Sequence, residues 1–274
     1  MEEKLIKEKI NEGRNTLRSV FEFEAEEDYQ SDQDLKRPQP PLFKAPMTNN
    51  AIALPTNFSD LPEKSFQEVI GTRKSNRVYT QKNVTLLQLS YLLFATQGVK
   101  DIRGKSYATI RTVPCGGARH EFETYMLVQY VEGLKPGLYH YLPQTHSIEF
   151  LNEVDDVQET IDTSLCGQTW TKKSSVVFYY GFDCYRAEWR YGIHAHRVVS
   201  IDIGHVGENF YLATTYMDLG TCGIGAYHQS FCDKLFGLDG ENEFIVYTQT
   251  LGTIDKTDTK SEKDFYKFVE EQGL

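Results

Sequence analysis

The stretch Ser175-Val-Val-Phe-Tyr-Tyr-Gly-Phe182 is a continuous apolar and aromatic run. Such a run is typical of a strand that is covered on both faces, so it predicts the central strand of a sheet. Residues 137–141 and 147–151 alternate around Pro143-Gln-Thr-His146, which predicts a hairpin. Further segments are predicted as a strand at 124–131, a strand or turn at 221–227, and a last strand at 243–251.

Helical patterns flank these strands. Thr85-Leu-Leu-Gln88 is a capping box, in which the Thr hydroxyl and the Gln amide satisfy free backbone groups at a helix start; that helix is expected to end at Gly98. The longest helix is predicted over 195–219, apolar on more than one face and ended by Gly220. Shorter helices are predicted at 65–72, 154–166 and 229–236, and at a second capping box, Ser261-Glu-Lys-Asp264. Because a hairpin is inserted between helices, the order of elements predicts an α+β fold.

The first sixty residues differ from the rest of the chain. Residues 1–35 are expected to form a charged and partly mobile extension, since 22–34 carries seven acidic residues and no basic one. Residues 36–60 contain five prolines and predict an extended strap rather than a helix or a ladder strand. The domain proper is predicted over 61–254, and 255–274 is predicted as a C-terminal helix that packs on the domain or on a partner chain.

The overall composition limits the possible functions. A formal net charge of −10 repels nucleic-acid phosphates. No apolar run is long enough for a membrane span, and the charged N-terminus does not resemble a secretory signal, so a cytoplasmic location is expected. The five cysteines contain no C-x-x-C pair, and His194 and His196 lack other ligands at suitable spacing. We therefore expect reduced thiols and no metal site.

One short segment concentrates positive charge in this acidic protein. Gly71-Thr-Arg-Lys-Ser-Asn-Arg-Val78 places Arg73, Lys74 and Arg77 beside Ser75. Three cations and a hydroxyl suit a terminal phosphate, whose charged oxygens accept hydrogen bonds. A solvated basic patch is the alternative interpretation.

Two segments of small residues are further candidates for a ligand site. In Arg111-Thr-Val-Pro-Cys-Gly-Gly-Ala118, small residues after a proline let backbone amides approach a flat ligand, although an ordinary turn has the same pattern. Gly220-Thr-Cys-Gly-Ile-Gly-Ala226 is not a dinucleotide fingerprint, because it follows a helix and position 228 is His. A backbone edge against an aromatic ligand stays open for this second segment.

Taken in order, these segments resemble the FMN-dependent nitroreductase family, and specifically its SagB-type dehydrogenase branch. The resemblance covers about residues 37–253. It rests on Arg73, Ser75 and Arg77 with 84–98, on Pro114-Cys-Gly-Gly-Ala118, and on 131–141, 204–213 and 219–225.

The resemblance implies a nitroreductase-like α+β fold, with a central mixed sheet flanked by helices and FMN at the interface of a homodimer. The FMN phosphate would be held by Arg73, Lys74, Ser75 and Arg77. The flavin ring would face Pro114, Cys115, Gly116 and Gly117 of the partner chain, and its other edge would meet Gly223, Ile224 and Gly225. Asn209 would hydrogen-bond either a flavin edge or a neighbouring backbone group.

The resemblance also implies an enzyme, an FMN-dependent oxidoreductase that dehydrogenates azolines to azoles in a modified peptide or oxidises a related small molecule, beside a biosynthetic partner enzyme. The alternatives are an NAD(P)H-dependent nitro or quinone reductase, and a flavin-binding scaffold protein with a degenerate site. Two residues depart from the branch. Arg190 replaces the Lys of a Lys-Tyr pair and cannot release its proton, which leaves Tyr191 as a proton relay. Thr253 stands where a basic residue often contacts the phosphate.

Overall fold

The computed structural model describes residues 3–19 and 29–273. Its strands are β1 (Ala51–Ala53), β2 (Val99–Arg103), β3 (Ala108–Arg111), β4 (Phe122–Val128), β5 (Gly137–Leu142), β6 (Ser147–Asn152), β7 (Val176–Asp183), β8 (Leu219–Ile224) and β9 (Glu243–Thr253). Its α-helices are α1 (Glu3–Leu17), α2 (Phe66–Thr72), α3 (Leu86–Gln97), α4 (Val157–Ser164), α5 (Cys184–Tyr191), α6 (Ala195–Tyr216), α7 (Gln229–Leu235), α8 (Thr259–Phe265) and α9 (Lys267–Glu271). Among the described helices, none is both long and apolar enough to cross a membrane.

The sheet confirms the α+β fold and the central strand. Seven strands lie in the order β1-β6-β5-β4-β7-β9-β8, and β2 and β3 form a separate hairpin. The predicted mixed sheet is wrong in one respect: every pairing between named strands of the described chain is antiparallel. Hairpins join β4 to β5 and β5 to β6, so these neighbours run in opposite directions. Long connections lead from β6 to β7 and on to β9, and β7 runs opposite to both of its neighbours, β4 and β9.

Strand β7 separates two apolar layers, as its unbroken hydrophobic run predicts. Phe178 faces α6, where its ring lies edge-on to that of Phe210 with the centroids 4.7 Å apart. Tyr179 faces the opposite layer and packs on Phe236, with the ring centroids 5.0 Å apart. Both sides of the strand are therefore removed from water, which is why alternation is missing from its sequence.

The capping box at Thr85 is confirmed, since both of its reciprocal hydrogen bonds form. Gly98 ends α3, but with a φ of −59° it is not a left-handed cap. A Cβ at this position would lie 2.4 Å from the ring of Phe94. Gly98 is therefore needed for close approach rather than for an unusual φ.

The long helix α6 ends earlier than predicted. It stops at Tyr216, and Asp218 takes a φ of +59° that ion pairs with Lys64 and Lys256 stabilise. Gly220 lies inside β8, where a Cβ would come within 2.4 Å of Ile254. The expected burial on more than one face is also wrong for this chain, because Ile201 is exposed whereas Val206 and Phe210 are buried.

The termini differ from expectation in three places. Asp258 caps α8, so Ser261 lies inside that helix, and residues 255–274 contain two short helices instead of one. Residues 51–53 of the strap pair with β6 as an edge strand, although no ladder strand was predicted there. Residues 22–28 of the acidic stretch lie outside the described residues. Helix α5 was not predicted.

Four charged side chains are buried between the strap, the sheet and α5. The His140 imidazole lies 3.0 Å from a Glu123 oxygen and 2.8 Å from a Glu149 oxygen, and the Arg186 guanidinium lies 2.6 Å from the other Glu123 oxygen. Burial alone would lower the pKa of His140, but its hydrogen bonds to both carboxylates outweigh burial and raise that pKa. His140 is thus a buried imidazolium between two carboxylates.

The same carboxylates hold the strap. Glu149 accepts hydrogen bonds from the backbone N–H groups of Met47 and Thr48, at 3.0 and 2.6 Å. Burial would raise the pKa of Glu149, but these bonds and the one from His140 lower it to about 2. Nearby, Lys44 of the strap pairs with Glu243 of β9. The strap is therefore fastened by charge as well as by the apolar anchor Leu54.

We expect His140→Gln to lower the free energy of unfolding by about 3 kcal/mol near pH 6, because it removes the cation that pairs with the buried Glu149 carboxylate, while Glu123 keeps Arg186. The pKa of His140 is raised above its unfolded value of 6.5, so its contribution is complete below pH 6.5 and is lost as the pH rises through the folded pKa. Urea denaturation at pH 6 and pH 9 measures this loss.

The variant His196→Gln is the control, since His196 is exposed and pairs with Glu188 at the surface. Wild-type protein and the control should both lose stability between pH 6 and pH 9, while His140→Gln should lose less. An equal loss in His140→Gln would contradict the assignment of this pH dependence to His140.

Candidate active site

The predicted site residues fall into two groups, and Tyr211 of α6 is the centre of the first. Its hydroxyl lies 3.0 Å from the Ser75 Oγ and accepts a hydrogen bond of 2.7 Å from the backbone N–H of Gly223. The Arg73 guanidinium lies 5.4 Å from the centroid of the Tyr211 ring. The basic segment and the glycine-rich strand, which were predicted separately, are therefore joined by one side chain that the sequence analysis did not single out.

The cations of this group differ in their partners. Lys74 is paired with Glu262 of α8 at 2.6 Å, so its charge is already neutralised. Arg77 donates a hydrogen bond of 2.7 Å to the Tyr266 hydroxyl and lies over the ring of Trp170. Within the described part of the chain, neither Arg73 nor Arg77 has a carboxylate at ion-pair distance, which leaves two guanidinium groups with uncompensated charge.

A cavity of about 610 Å³ lies beside these cations. It opens between the 72–80 segment, the end of β9 and α8, and its lining includes Lys74, Arg77, Trp170 and Phe265. Thr253 stands where the resemblance implies a basic residue on the phosphate, and it brings no charge to this cavity. Its hydroxyl bonds that of Thr80 at 2.6 Å.

Two glycines of the glycine-rich segment differ in the space beside them. A Cβ at Gly223 would lie 1.8 Å from the Tyr247 hydroxyl, whereas a Cβ at Gly225 would meet no atom within 4 Å. Close to them, the buried Thr221 Oγ1 has no hydrogen-bond partner among the described residues. Unpaired guanidinium groups, a hydroxyl and an open backbone edge together fit a flat ligand that carries a phosphate.

Asn209 lies away from this group. Its side-chain amide donates a hydrogen bond of 2.8 Å to the carbonyl oxygen of Ala95 and so ties α6 to α3. Of the two partners predicted for Asn209, this structure contains the neighbouring backbone group.

The second group is the glycine loop with the end of α5. Gly117 has a φ of +55°, and a Cβ there would lie 2.4 Å from the Arg190 side chain. A Cβ at Gly116 would lie 2.3 Å from Val198 and 3.3 Å from the Tyr191 hydroxyl. Arg190 and Tyr191 therefore pack directly against the backbone of the loop. Pro114 at the start of the loop is exposed.

Arg190 remains charged in this environment. It donates hydrogen bonds to Gln33 at 2.9 Å and to the Tyr107 hydroxyl at 3.3 Å. Burial would lower the pKa of Arg190, but its contacts with Tyr191 and Tyr107 raise it. Burial raises the pKa of Tyr191, and the neighbouring Arg190 opposes that rise. Arg190 can thus orient a ligand or stabilise an anion, while Tyr191 keeps its proton at neutral pH.

A buried acidic cluster behind the loop was not predicted. Cys115 Sγ lies 3.1 Å from a Glu121 oxygen, and the backbone N–H of Gly116 donates a bond of 2.7 Å to Asp202 Oδ2. Burial and Asp202 raise the pKa of Glu121 to about 7. Burial and Glu121 also raise the pKa of the Cys115 thiol, so this side chain is a packing residue and not a reactive thiolate. Glu121 and Asp202 are far apart in sequence and belong to no motif, so only the fold joins them.

Residues 70–253 match the family model described as the nitroreductase family. A nitroreductase-type protein of Methanocaldococcus jannaschii is 33% identical over 171 residues, which are 62% of this chain and 83% of that protein. The trifolitoxin-processing protein TfxB of Rhizobium leguminosarum bv. trifolii is 26% identical over 133 residues, 47% of this chain but 36% of TfxB.

Three solved structures share the fold. A nitroreductase-type protein of Ralstonia eutropha JMP134 aligns with a TM-score of 0.62 and 23% identity, over 80% of this chain and 95% of that one. A chain of the E. coli microcin synthetase McbBCD complex with truncated pro-MccB17 bound aligns with a TM-score of 0.57 and 18% identity, over 89% of this chain and 94% of that one. An Exiguobacterium sibiricum nitroreductase-type protein in complex with FMN aligns with a TM-score of 0.50 and 14% identity, over 70% of this chain and 90% of that one.

We expect Gly117→Ala to destabilise the fold by more than a left-handed alanine alone, which costs about 1–2 kcal/mol. The added Cβ would overlap Arg190, so the loop and α5 must move apart. Gly133→Ala is the matched control, because Gly133 has a φ of +75° with no atom within 4 Å of the added Cβ. Thermal denaturation of both variants measures the difference; equal losses would argue against close packing of Arg190 on the loop.

Proposed function

The chain belongs to the nitroreductase family, and we propose that it is an FMN-dependent oxidoreductase of the SagB-type branch that works as a homodimer. One observation carries the proposal: Arg73 and Arg77 lack carboxylate partners in the described chain, and Tyr211 joins their segment to the glycine-rich strand through Ser75 and the Gly223 N–H. The similarity to TfxB and to a chain of the microcin synthetase complex supports the SagB-type assignment.

In this proposal the phosphate of FMN is held by Arg73, Ser75 and Arg77. Lys74 contributes less, because Glu262 already neutralises it. The backbone of residues 223–225 lies against one edge of the flavin ring, and the loop 114–117 of the partner chain lies against the ring. The FMN complex of a structural neighbour supports the choice of cofactor.

When bound, FMN supplies a two-electron acceptor for hydride. The protein's own part is to place the substrate and to move a proton. Arg190 keeps its charge and stabilises a developing anion, while the Tyr191 hydroxyl passes a proton between the substrate and the interior of the protein. We propose the oxidation of an azoline ring in a modified peptide as the reaction, with a biosynthetic enzyme as partner.

A second candidate is an NAD(P)H-dependent reductase of nitro or quinone compounds. Arg190 favours it, since this side chain cannot serve as the base that azoline oxidation needs. The relative from Methanocaldococcus jannaschii, which is of the nitroreductase type, supports it as well.

Purified protein is expected to be yellow and to contain one FMN per chain. Arg73→Gln and Arg77→Gln should each weaken FMN binding about 10- to 100-fold, because each removes charged hydrogen bonds to phosphate. Lys74→Gln is the matched control in the same segment and should have a smaller effect. Fluorescence titration of apoprotein with FMN measures these affinities. Colourless protein that takes up no FMN on reconstitution would contradict the proposal.

The two candidate reactions differ in the source of electrons. If the protein oxidises azolines, a synthetic peptide with one thiazoline ring should bleach the flavin anaerobically, while NADPH alone should not. Absorbance of the flavin under anaerobic conditions follows both reactions. Rapid bleaching by NADPH followed by turnover of a nitroaromatic compound would favour the reductase instead.

A further inference from the structure

We propose that Glu121 and Asp202 form a carboxyl pair that shares one proton and accepts the proton relayed by Tyr191, and that His205 connects this pair to solvent. The proposal rests on the oxidoreductase function proposed above. Arg190 cannot receive a proton, so another group must accept the proton that Tyr191 relays.

The pair is buried directly behind the glycine loop. Glu121 is 1% exposed and Asp202 is 4% exposed. One oxygen of each carboxyl group has a fixed donor, since Cys115 points at Glu121 Oε2 and the Gly116 N–H at Asp202 Oδ2. The other Glu121 oxygen, Oε1, is buried with no hydrogen-bond partner among the described residues. A buried carboxylate oxygen without a donor is costly, and a proton on the pair removes that cost.

Tyr191 reaches the pair across Gly116. A Cβ at Gly116 would lie 3.1 Å from Asp202 Oδ2 and 3.3 Å from the Tyr191 hydroxyl, so both oxygens border the same side of this residue. A single bridging water would complete the path between these two oxygens. The Tyr191 ring is half-buried, and the Arg190 guanidinium lies 5.7 Å from its centroid. Tyr191 is therefore the contact between the ligand side of the loop and the buried carboxyl groups.

His205 provides the path outward. Its Nδ1 lies 3.7 Å from Asp202 Oδ1, one helical turn along α6, and its side chain is 44% exposed. The His205 ring therefore joins the buried carboxyl group of Asp202 to solvent.

The charges around the pair favour a single shared proton. A carboxyl oxygen of Glu121 and one of Asp202 lie within 4.8 Å of each other. Two carboxylates at this distance repel each other, so one of them holds a proton where a lone carboxyl group would not. Arg186 of α5 attracts the Glu121 carboxylate, but it is committed to Glu123 at 2.6 Å and to Asp183 at 3.0 Å. The other titratable or charged groups facing the cluster are Arg111 of β3, Cys115, Arg119 and His120 of the loop, Tyr191 of α5 and His205 of α6.

The proton balance is simple. At rest the pair holds one proton and one negative charge. As the substrate is oxidised, its proton passes to the Tyr191 oxygen while the Tyr191 hydroxyl proton passes to the pair, which becomes neutral. The hydride leaves the substrate with two electrons for the flavin of the proposed function. His205 then carries one proton from the pair to solvent. Glu121 and Asp202 act through Tyr191 and do not touch the substrate.

The test is an infrared pH titration of the purified full-length protein, which needs no substrate. Wild-type protein should show the band of a protonated carboxyl group that disappears with a midpoint near pH 7. Glu121→Gln and Asp202→Asn should each abolish this midpoint. Glu188→Gln, at an exposed carboxylate that pairs with His196, should leave it unchanged. Absence of the band from wild-type protein at pH 6 would overturn the shared proton, whether or not the variants fold.

A second measurement tests the link to Tyr191. Tyr191→Phe should shift the midpoint by about half a pH unit or more, because it removes a hydroxyl from the edge of the pair. Tyr185→Phe is the control, since its hydroxyl bonds Asp32 at the surface. An unshifted midpoint in Tyr191→Phe would overturn the relay. Both measurements read the carboxyl groups themselves, so a failure to bind FMN would count against the proposed function and not against the pair.

Discussion

The buried His140, between the carboxylates of Glu123 and Glu149, is the contact on which both the strap and the candidate site depend. Three ionised groups lie inside the protein here, and any one of them without its partners would cost several kcal/mol. On one side Glu149 accepts the backbone N–H groups of the strap. On the other side Glu123 holds Arg186, one turn before the end of α5. The same network thus fixes the strap against the sheet and fixes the helix whose last turn carries Tyr191.

Space is the second constraint on the site. Gly116 and Gly117 bring the loop backbone so close to α5 and α6 that side chains at these positions would overlap Val198 and Arg190. Because the contact is with backbone, the positions of Tyr191 and Asp202 relative to the loop are set by the fold and not by flexible side chains. The same holds on the other side of the molecule, where Gly223 lies against the Tyr247 hydroxyl. In both places a glycine is needed because another side chain packs directly against the backbone. The sequence pattern indicates the close contact but does not identify the residue that makes it.

Sequence patterns predicted the elements that have local signals. The capping box at Thr85 and the unbroken apolar run of β7 each depend on residues within one segment, and both predictions hold. The predicted end of α6 failed because Asp218 takes a positive φ through ion pairs with distant lysines. Tyr211 and the pair of Glu121 and Asp202 were missed for the same reason: their partners lie on other elements. Arg73, Ser75 and Gly223 were predicted in two segments, but only the fold joins them through Tyr211.

An arginine at position 190 changes how a proton can move near the glycine loop. Its fixed positive charge lies 5.7 Å from the Tyr191 ring and favours the phenolate, whereas burial favours the phenol. Tyr191 therefore gives up its proton only while it receives another, as a relay requires. A relay needs an acceptor at its far end, and an arginine at position 190 cannot supply one. In our proposal the buried carboxyl pair beyond Gly116 is that acceptor. Arg190 carries a permanent charge and takes no part in proton transfer, so Tyr191 remains the relay and the acceptor lies behind the loop.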